Sequence, residues 1–440
     1  MRPLSLLLCS LALTAAVPAQ QGSIAVRVGK AFLPDGSVVQ DATLVVRDGR
    51  VAAFGPAADV EVPFDVVLHE HPDAVLWTGF YEAHTSNGMD RPNENVPIAP
   101  FLDVKDSIDP VSFFFEDSLR RGTVAMAVVP GNDTVIGGRG RVVAPHGMTV
   151  EDMTLEADVG VKIAIGPKRG WSRSAQLAEL REAELELARD LKEIGARLLH
   201  ESETRADRGE EPDEDRAPGG FVRFGDDFPG KELITEDDLD DTQRGLVRIL
   251  NGDERLWVWA PQATDLVHAR RWLEDRGLLG NSTFVVTSAA HEAADQLAEM
   301  GRPVVLLGDP WHVVRDPVTR EEVRTFAPKA FHEAGVTFAL TPDRSRLGPD
   351  RLAYQAALAI REGVPAPVAL AAVTTVPAAM WGLEDRLASF AEGADGTFVL
   401  LDAEPLDPVS HVLEVWVQGE KVYDRNTDER LQRLLEGRRN

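Results

Sequence analysis

The chain has 440 residues, of which 44% are hydrophobic and 27% are charged. This composition is typical of a soluble globular protein, and the length allows two or three domains or one large barrel. Lysine and arginine number 46 against 72 aspartate and glutamate residues, so the formal net charge is -26. Nucleic acids and anionic membranes attract basic surfaces, and this charge therefore argues against both as partners.

The first twenty residues, MRPLSLLLCSLALTAAVPAQ, predict a secretory signal peptide over residues 1–19. One arginine precedes an apolar core from Leu4 to Ala16, and the small-residue ending VPA resembles a cleavage site. The alternative, a membrane anchor, needs a longer apolar run of about 18 to 20 residues. We therefore expect a secreted or periplasmic protein whose mature chain has no membrane span. Cys9 is the only cysteine and would leave with the signal, so the mature chain would have no disulfide.

Both ends of the mature chain, residues 20–74 and 385–440, are predicted to be rich in β-strands. In the first segment, β-branched runs break at Asp35-Gly36 and Asp48-Gly49, and Asp-Gly between apolar runs is a strong hairpin signal. The second segment contains GTFVLLDAEPLDPVSHVLEVWVQGEKVYDR, which indicates a strand, a loop, a strand, a turn at Gly419 and a last short strand.

Between these ends, residues 75–384 alternate apolar runs with helical patterns. Six runs are clear, and they read TVAMAVVP, GVKIAIG, RLWVWAP, STFVVTS, RPVVLLGD and VTFALTPD. With AVLWTGF before them and a weaker run near RGRVVAPHG, they approach the eight buried parallel strands of a (β/α)8 barrel. Helices are predicted from Ser174 to about Leu199 and from near Thr235, with an exposed acidic insertion near residues 201–220.

Several segments of the chain resemble the amidohydrolase superfamily, in particular its imidazolonepropionase-like periplasmic members. They are VLWTGFYEAHTSNGM, VVPGNDTVIGGRGRVV, GVKIAIGPKRG and, the most specific, TTVPAAMWGLEDRLASFAEGADGTFVLLDAEPL. The resemblance covers nearly the whole mature chain. It implies an α/β fold with a (β/α)8 TIM-like barrel and a small composite β-sandwich built from the N- and C-terminal segments. It also implies hydrolysis of carbon–nitrogen bonds other than peptide bonds by a metal-activated water.

The family's metal centre takes two histidines after strand one, one after each of strands five and six, and an aspartate after strand eight. The resemblance places His84 and Asp343 at two of these positions, and Asp343 would also accept the proton of the attacking water. Ser86, Trp259 and Thr287 stand where histidines are expected, and none of them is a usual zinc ligand. Catalytic zinc usually takes three protein ligands and water, so the centre is incomplete and no cofactor is expected.

Other residues near predicted strand ends could rebuild a site for zinc or another divalent cation. His291, His312 and Asp309 are candidate substitute ligands, and Glu82 also lies near a strand end. Some family members carboxylate a strand-end lysine to bridge two metals, but with the histidines gone Lys162 would have nothing to bridge.

Lys168 and Arg169 are candidate ligands for a substrate carboxylate, because a guanidinium fork matches that group. The alternative is that both are solvent-exposed loop charges.

Two functions remain open from the sequence. The first is an amidohydrolase-like protein whose metal chemistry has lapsed and which binds a ligand or partner, with an aromatic residue such as Trp259 in the emptied site. The second is an active hydrolase that uses a rebuilt metal site or metal-free acid/base chemistry. The sequence indicates a small molecule as substrate or ligand in both cases, and it does not indicate the oligomeric state.

Overall fold

The computed structural model describes residues 22–209, 220–345 and 351–437. The predicted signal peptide and residues 210–219 of the predicted insertion lie outside these ranges. In the part of the chain that is described, no helix is long and apolar enough to cross a membrane.

The strands of the described ranges are β1 (Ile24–Phe32), β2 (Val38–Arg47), β3 (Arg50–Pro56), β4 (Leu68–Trp77), β5 (Phe80–Thr85), β6 (Thr123–Val128), β7 (Ile136–Arg139), β8 (Arg141–Val143), β9 (Thr154–Glu156), β10 (Val161–Ala164), β11 (Leu256–Trp259), β12 (Ser282–Val286), β13 (Val304–Leu306), β14 (Trp311–Arg315), β15 (Glu322–Phe326), β16 (Phe338–Leu340), β17 (Phe398–Leu401), β18 (Val412–Val417) and β19 (Glu420–Asp424). The α-helices are α1 (Phe113–Arg120), α2 (Val150–Met153), α3 (Arg173–Asp207), α4 (Asp241–Asn251), α5 (Ala263–Glu274), α6 (Ala294–Met300), α7 (Ala327–Glu333), α8 (Leu352–Arg361), α9 (Ala366–Ala371), α10 (Thr375–Trp381) and α11 (Glu429–Gly437).

The two ends of the chain form one seven-stranded sheet, in the order β19-β18-β17-β4-β1-β2-β3. Hairpin turns at Asp35-Gly36 and Asp48-Gly49 join its first three strands, as predicted. At the second turn both central residues have positive φ, 49° and 77°, as a type I′ turn requires. The C-terminal segment joins the sheet because β17 pairs antiparallel with β4. The predicted union of both ends is therefore observed, whereas a two-layer sandwich is not confirmed.

The six clear apolar runs each contain a strand, namely β6, β10, β11, β12, β13 and β16. The last five lie side by side and parallel, and β5 pairs parallel with β6. The weaker run near RGRVVAPHG is not a parallel strand, because β8 pairs antiparallel with β6. The edge position beside β10 is taken instead by β7, which also runs antiparallel.

The run AVLWTGF is divided between two sheets at Gly79. Trp77 ends β4, Phe80 begins β5, and Gly79 between them has a φ of 88°. A Cβ at Gly79 would come within 2.6 Å of the Val124 side chain. Glycine therefore allows both the left-handed backbone and the close approach with which the chain passes from the terminal sheet to the parallel strands.

Within the described residues the parallel strands do not form one closed hydrogen-bonded ring. They are divided between a six-stranded sheet, β16-β13-β12-β11-β10-β7, and a four-stranded sheet, β5-β6-β8-β9. One hydrophobic core extends across both, with Ala83 and Ala127 from the smaller sheet and Ile163, Val258 and Phe284 from the larger one. The two sheets thus share a hydrophobic interior and form a mixed α/β body.

Helix α3 begins earlier and ends later than the sequence pattern indicated. Its N-cap is Ser172, whose hydroxyl accepts a hydrogen bond from the Ala175 N–H, and not Ser174. Its C-terminal end takes in residues 201–207, which had been assigned to the acidic insertion.

The helix predicted from near Thr235 begins later in the chain. Thr235 is hydrogen-bonded to Asp238, and this pair caps a short 3-10 turn rather than an α-helix. The α-helix, α4, starts at Asp241 after its own N-cap, Asp240.

Candidate functional site

The candidate site lies where the parallel strands β5, β6, β10 to β13 and β16 end, a region we call the mouth. Barrel enzymes carry their active sites at this end of the strands, because the loops that follow the strands converge there. His84 is the last residue but one of β5, and only 3% of its surface is exposed. It lies at the strand end where the sequence predicted the first metal ligand.

His84 is bonded to Lys162. The Nε2 of His84 lies 3.0 Å from the Nζ of Lys162, and the lysine side chain is completely buried. The contact joins the two sheets, since His84 belongs to β5 and Lys162 to β10. One ring nitrogen of His84 is therefore already engaged by an amine, which is not among the usual zinc ligands of proteins.

Two tryptophans enclose this pair. The ring of Trp257 meets the His84 ring edge-on, with 5.8 Å between the centroids. The Nζ of Lys162 lies 6.0 Å from the ring centroid of Trp259, the residue at one of the expected histidine positions. Indole surfaces on this side exclude water from the amine and the imidazole, which favours their uncharged forms.

Burial governs the charge of both groups. It lowers the pKa of Lys162 to about 7. Burial, followed by the positive charge of Lys162, lowers the pKa of His84 well below its ordinary value. The pair is therefore uncharged above about pH 7, and either group can donate the hydrogen bond, depending on the tautomer of the imidazole.

The hydroxyl residues at the expected histidine positions bond to backbone carbonyls of neighbouring strand ends. The Ser86 hydroxyl donates to the Val129 carbonyl over 2.9 Å, and the Thr287 hydroxyl donates to the Pro261 carbonyl over 2.7 Å. These bonds tie β5 to β6 and β12 to β11. Both side chains thus hold the rim of the mouth together.

Asp343 follows β16 and is buried, and its carboxylate is hydrogen-bonded within the turn that it begins. Its Oδ1 accepts hydrogen bonds from the backbone N–H and the hydroxyl of Ser345, over 3.0 Å and 2.6 Å. The adjacent Arg344 reaches across to β5 instead, where it makes a two-pronged ion pair with Glu82 at 2.6 Å for each contact. Glu82 is fully buried, so this bidentate pair supplies the counter-charge that its carboxylate needs.

His291 and His312 lie together, with 5.0 Å between their ring centroids. The Nδ1 of His291 is 2.9 Å from the Ser288 carbonyl, and Asp309 accepts a hydrogen bond from the Trp311 N–H. Across residues 22–209, 220–345 and 351–437, no three histidine, cysteine or acidic side chains converge as a metal site. The described donors therefore do not fit a catalytic divalent cation, either at His84 and Asp343 or at this histidine pair.

Lys168 and Arg169 follow β10 but do not line the cavity at the mouth. The Lys168 Nζ lies 4.1 Å from the ring centroid of Trp171, a cation–π contact. The Arg169 residue is exposed. Their use as a carboxylate clamp stays a prediction.

A cavity of about 200 Å³ opens beside His84. Its walls include Ser86, Asn87, Asn132 and Arg344, with Leu307, Gly308, Thr341 and Pro342 from the ends of β13 and β16. The Oδ1 of Asn132 is shielded from solvent and has no hydrogen-bond partner within the described chain. A buried carbonyl oxygen without a donor is rare in proteins, and a donor from a ligand or water would satisfy it.

Sequence reasoning found His84 but missed what holds it. The resemblance suggests a role for Lys162 only as a carboxylated metal bridge, although its place inside an apolar strand indicates a buried amine. The ion pair of Arg344 with Glu82 joins residues 262 positions apart, and nothing in the sequence indicated it. Asn132 lies in a loop and carries no periodic signal, so a single sequence could not have indicated it.

Comparison with solved structures identifies the fold. Over 91% of this chain and 100% of the other, the structure superposes on an amidohydrolase from Thermotoga maritima with a TM-score of 0.71 and 22% identity. An adenosine deaminase from Xanthomonas campestris, with zinc bound, gives a TM-score of 0.49 and 18% identity over 94% and 97% of the two chains. The first similarity confirms a mixed α/β fold shared with that amidohydrolase, whereas the closed barrel and the composite sandwich stay predictions. The second is too low to support an argument.

Sequence comparisons add a local similarity. Amidohydrolase tasK from Hapsidospora irregularis is 32% identical over 98 residues, which are 22% of this chain and 10% of that protein. The match thus spans about a tenth of that relative's length. No protein-family model matches the chain.

Proposed function

We propose, from the premise that this chain is an amidohydrolase-superfamily protein by fold, that its mouth binds a small polar molecule and does not catalyse metal-dependent hydrolysis. The proposal includes the finer features of the resemblance: an imidazolonepropionase-like ancestry, a composite β-sandwich, and a (β/α)8 barrel as the ancestral arrangement of the parallel strands, which lie in two sheets in the described residues. By ancestry the chain is a hydrolase of non-peptide carbon–nitrogen bonds. Because three of the expected metal-ligand positions carry other side chains, we expect its hydrolase activity to be weak or absent.

The hydrogen bond between His84 and Lys162 carries this proposal. A metal at His84 would have to displace a buried amine from Nε2 and then find two further ligands. Ser86, Trp259 and Thr287 provide none of them, and Asp343 is bonded to Ser345. The polar walls of the adjacent cavity and the unmatched Oδ1 of Asn132 support ligand binding in place of metal chemistry.

A second candidate function is metal-free acid/base hydrolysis. The observation that favours it is the pKa of Lys162, about 7, which suits a general base near neutral pH. Its complete burial argues against this role, because the amine does not line the cavity. If Lys162 acts as the general base, the rate of hydrolysis should rise with pH around 7, and the Lys162→Met variant should have no activity.

The test is a hydrolysis assay on a panel of small amides, lactams and N-acyl amino acids. The full chain is treated with a chelator and then supplied with Zn²⁺, Mn²⁺ or Co²⁺. We expect no stimulation by metal, and the same background rate for wild type, His84→Ala and the control His200→Ala, which removes an exposed histidine on α3. A metal-stimulated rate at least tenfold above background that only His84→Ala removes would refute the proposal.

Export is proposed together with this function. The sequence of residues 1–19 supports it, and cleavage is expected after Ala19. The N-terminal sequence of the protein recovered from its native host is the direct test. An intact Met1 would contradict the proposal.

A further inference from the structure

A second cavity, of about 540 Å³, lies at the opposite end of β5 from His84. Phe80, the first residue of β5, lines it together with side chains of α1, α8, the loop between β17 and β18, and α11. It is several times larger in volume than a site for a single ion. It also falls within the range of about 300 to 1,000 Å³ that is typical of small-molecule sites, whereas the cavity at the mouth is smaller.

The walls of this second cavity are mainly apolar. Phe80 and Leu401 form its buried side. Tyr354 on α8 and Leu434 on α11 line it as well, although 42% and 57% of their surfaces remain exposed. Exposed apolar side chains that line a concave surface favour the binding of a ligand with an apolar part.

The charges at the cavity are unbalanced towards the cationic side. Arg120 is paired with Glu116 and Asp428, and Arg121 is paired with Asp117. Arg351 and Arg425 also line the cavity, and within the described chain neither guanidinium makes a hydrogen bond or an ion pair.

The remaining acidic group of the lining, Asp407, accepts a hydrogen bond from the Val409 N–H. In a chain of net charge -26, two arginines without carboxylate partners beside an apolar surface indicate an anionic guest.

We propose that this cavity binds a small carboxylic acid with an apolar body, of the size of a medium-chain fatty acid. Its carboxylate would bond to Arg351 and Arg425, and its apolar chain would lie against Phe80, Tyr354 and Leu434. Arginine suits this role because its planar donor fork matches a carboxylate. The site is separate from the mouth, and its occupation does not depend on His84 or Lys162.

The test is isothermal titration of the full chain with three probes: octanoate, octanol and acetate. Octanol keeps the apolar body without the charge, and acetate keeps the charge without the body. We expect octanoate to bind with a Kd below 1 mM, and each of the other two probes to bind at least tenfold more weakly. Equal binding of octanoate and octanol, or no binding of octanoate up to 5 mM, would overturn the proposal.

Substitutions in the cavity then test whether octanoate binds at this site. Arg351→Gln and Arg425→Gln should each weaken octanoate binding about tenfold, because each removes a charge-assisted hydrogen bond. Ala357→Phe, on the α8 wall, should abolish binding by filling the cavity without changing the charge. Arg315→Gln, on the exposed β14–β15 hairpin, changes the net charge equally and should leave the Kd unchanged. Octanoate binding that survives all three cavity substitutions would refute the assignment.

Discussion

Replacing Lys162 with methionine should make the protein more stable at neutral pH. Among the described residues the buried amine is bonded only to another buried base, and burial lowers its pKa from 10.5 to about 7. At about 1.4 kcal/mol for each pH unit, releasing its proton at pH 7 costs about 5 kcal/mol of folding free energy. Methionine has a similar length and no charge, but its introduction leaves the His84 Nε2 without a partner, at a cost of about 2 kcal/mol. The net expectation is a gain of about 3 kcal/mol in the free energy of unfolding.

The stabilising effect of Lys162→Met should decrease as the pH rises. Between pH 7 and pH 10.5 the unfolded chain holds the Lys162 proton and the folded chain does not, so the stability of the wild type rises with pH across this window. At pH 9 the cost of the amine has fallen to about 2 kcal/mol, and the advantage of Lys162→Met should therefore be close to zero.

The assay is urea unfolding followed by tryptophan fluorescence at pH 7, 8 and 9. Lys192→Met is the matched control, because Lys192 is exposed on α3 and its removal should change the stability by less than about 0.5 kcal/mol. A Lys162→Met protein that is less stable than wild type at pH 7, or whose difference does not shrink with pH, would refute the burial argument.

Four further substitutions test the interactions around the site and the terminal sheet. Arg344→Gln should lower the free energy of unfolding by about 3 kcal/mol, because it leaves the buried Glu82 carboxylate without its ion-pair partner. Glu82→Gln should lower it by less, because the Arg344 side chain is 28% exposed and water can solvate its charge. Denaturant titration of both variants tests this order, and an equal or larger loss in Glu82→Gln would contradict it. Tyr81→Phe should cost about 1 to 3 kcal/mol in the same titration, because the buried Tyr81 hydroxyl donates to the Thr78 carbonyl and accepts from the Ala388 N–H; no change would contradict this role. Asp428→Asn should destabilise the protein at pH 7. Bonds from Arg120 lower the pKa of Asp428 to about 2, so the difference from wild type should disappear in thermal melts as the pH falls from about 4 to 2.

The strands were predictable from the sequence because burial on both faces leaves a continuous apolar run, as in RLWVWAP and STFVVTS. The hairpins were predictable because Asp-Gly pairs provide positive φ, which Asp48 and Gly49 show. The run near RGRVVAPHG was wrongly predicted to be a parallel strand. An apolar run in a sequence does not show in which direction its strand pairs, and β8 pairs antiparallel with β6. The cap of α3 was displaced from Ser174 to Ser172, because both residues can cap and local sequence does not choose between them.

The site was predictable only in part. The position of His84 at a strand end followed from the resemblance, and so did the substitutions at Ser86 and Thr287. The contact with Lys162 depends on which two strands face each other across the core, and a single sequence does not contain that information. The same reason hides the ion pair of Glu82 with Arg344, whose residues lie 262 positions apart.

Elemental analysis of the purified full chain, after equilibration with zinc and removal of free metal, tests the central claim most directly. The bond between His84 and Lys162, with no third donor among the described residues, predicts less than about one zinc ion for every ten molecules. One zinc ion per molecule, lost in His84→Ala and retained in His200→Ala, would contradict it.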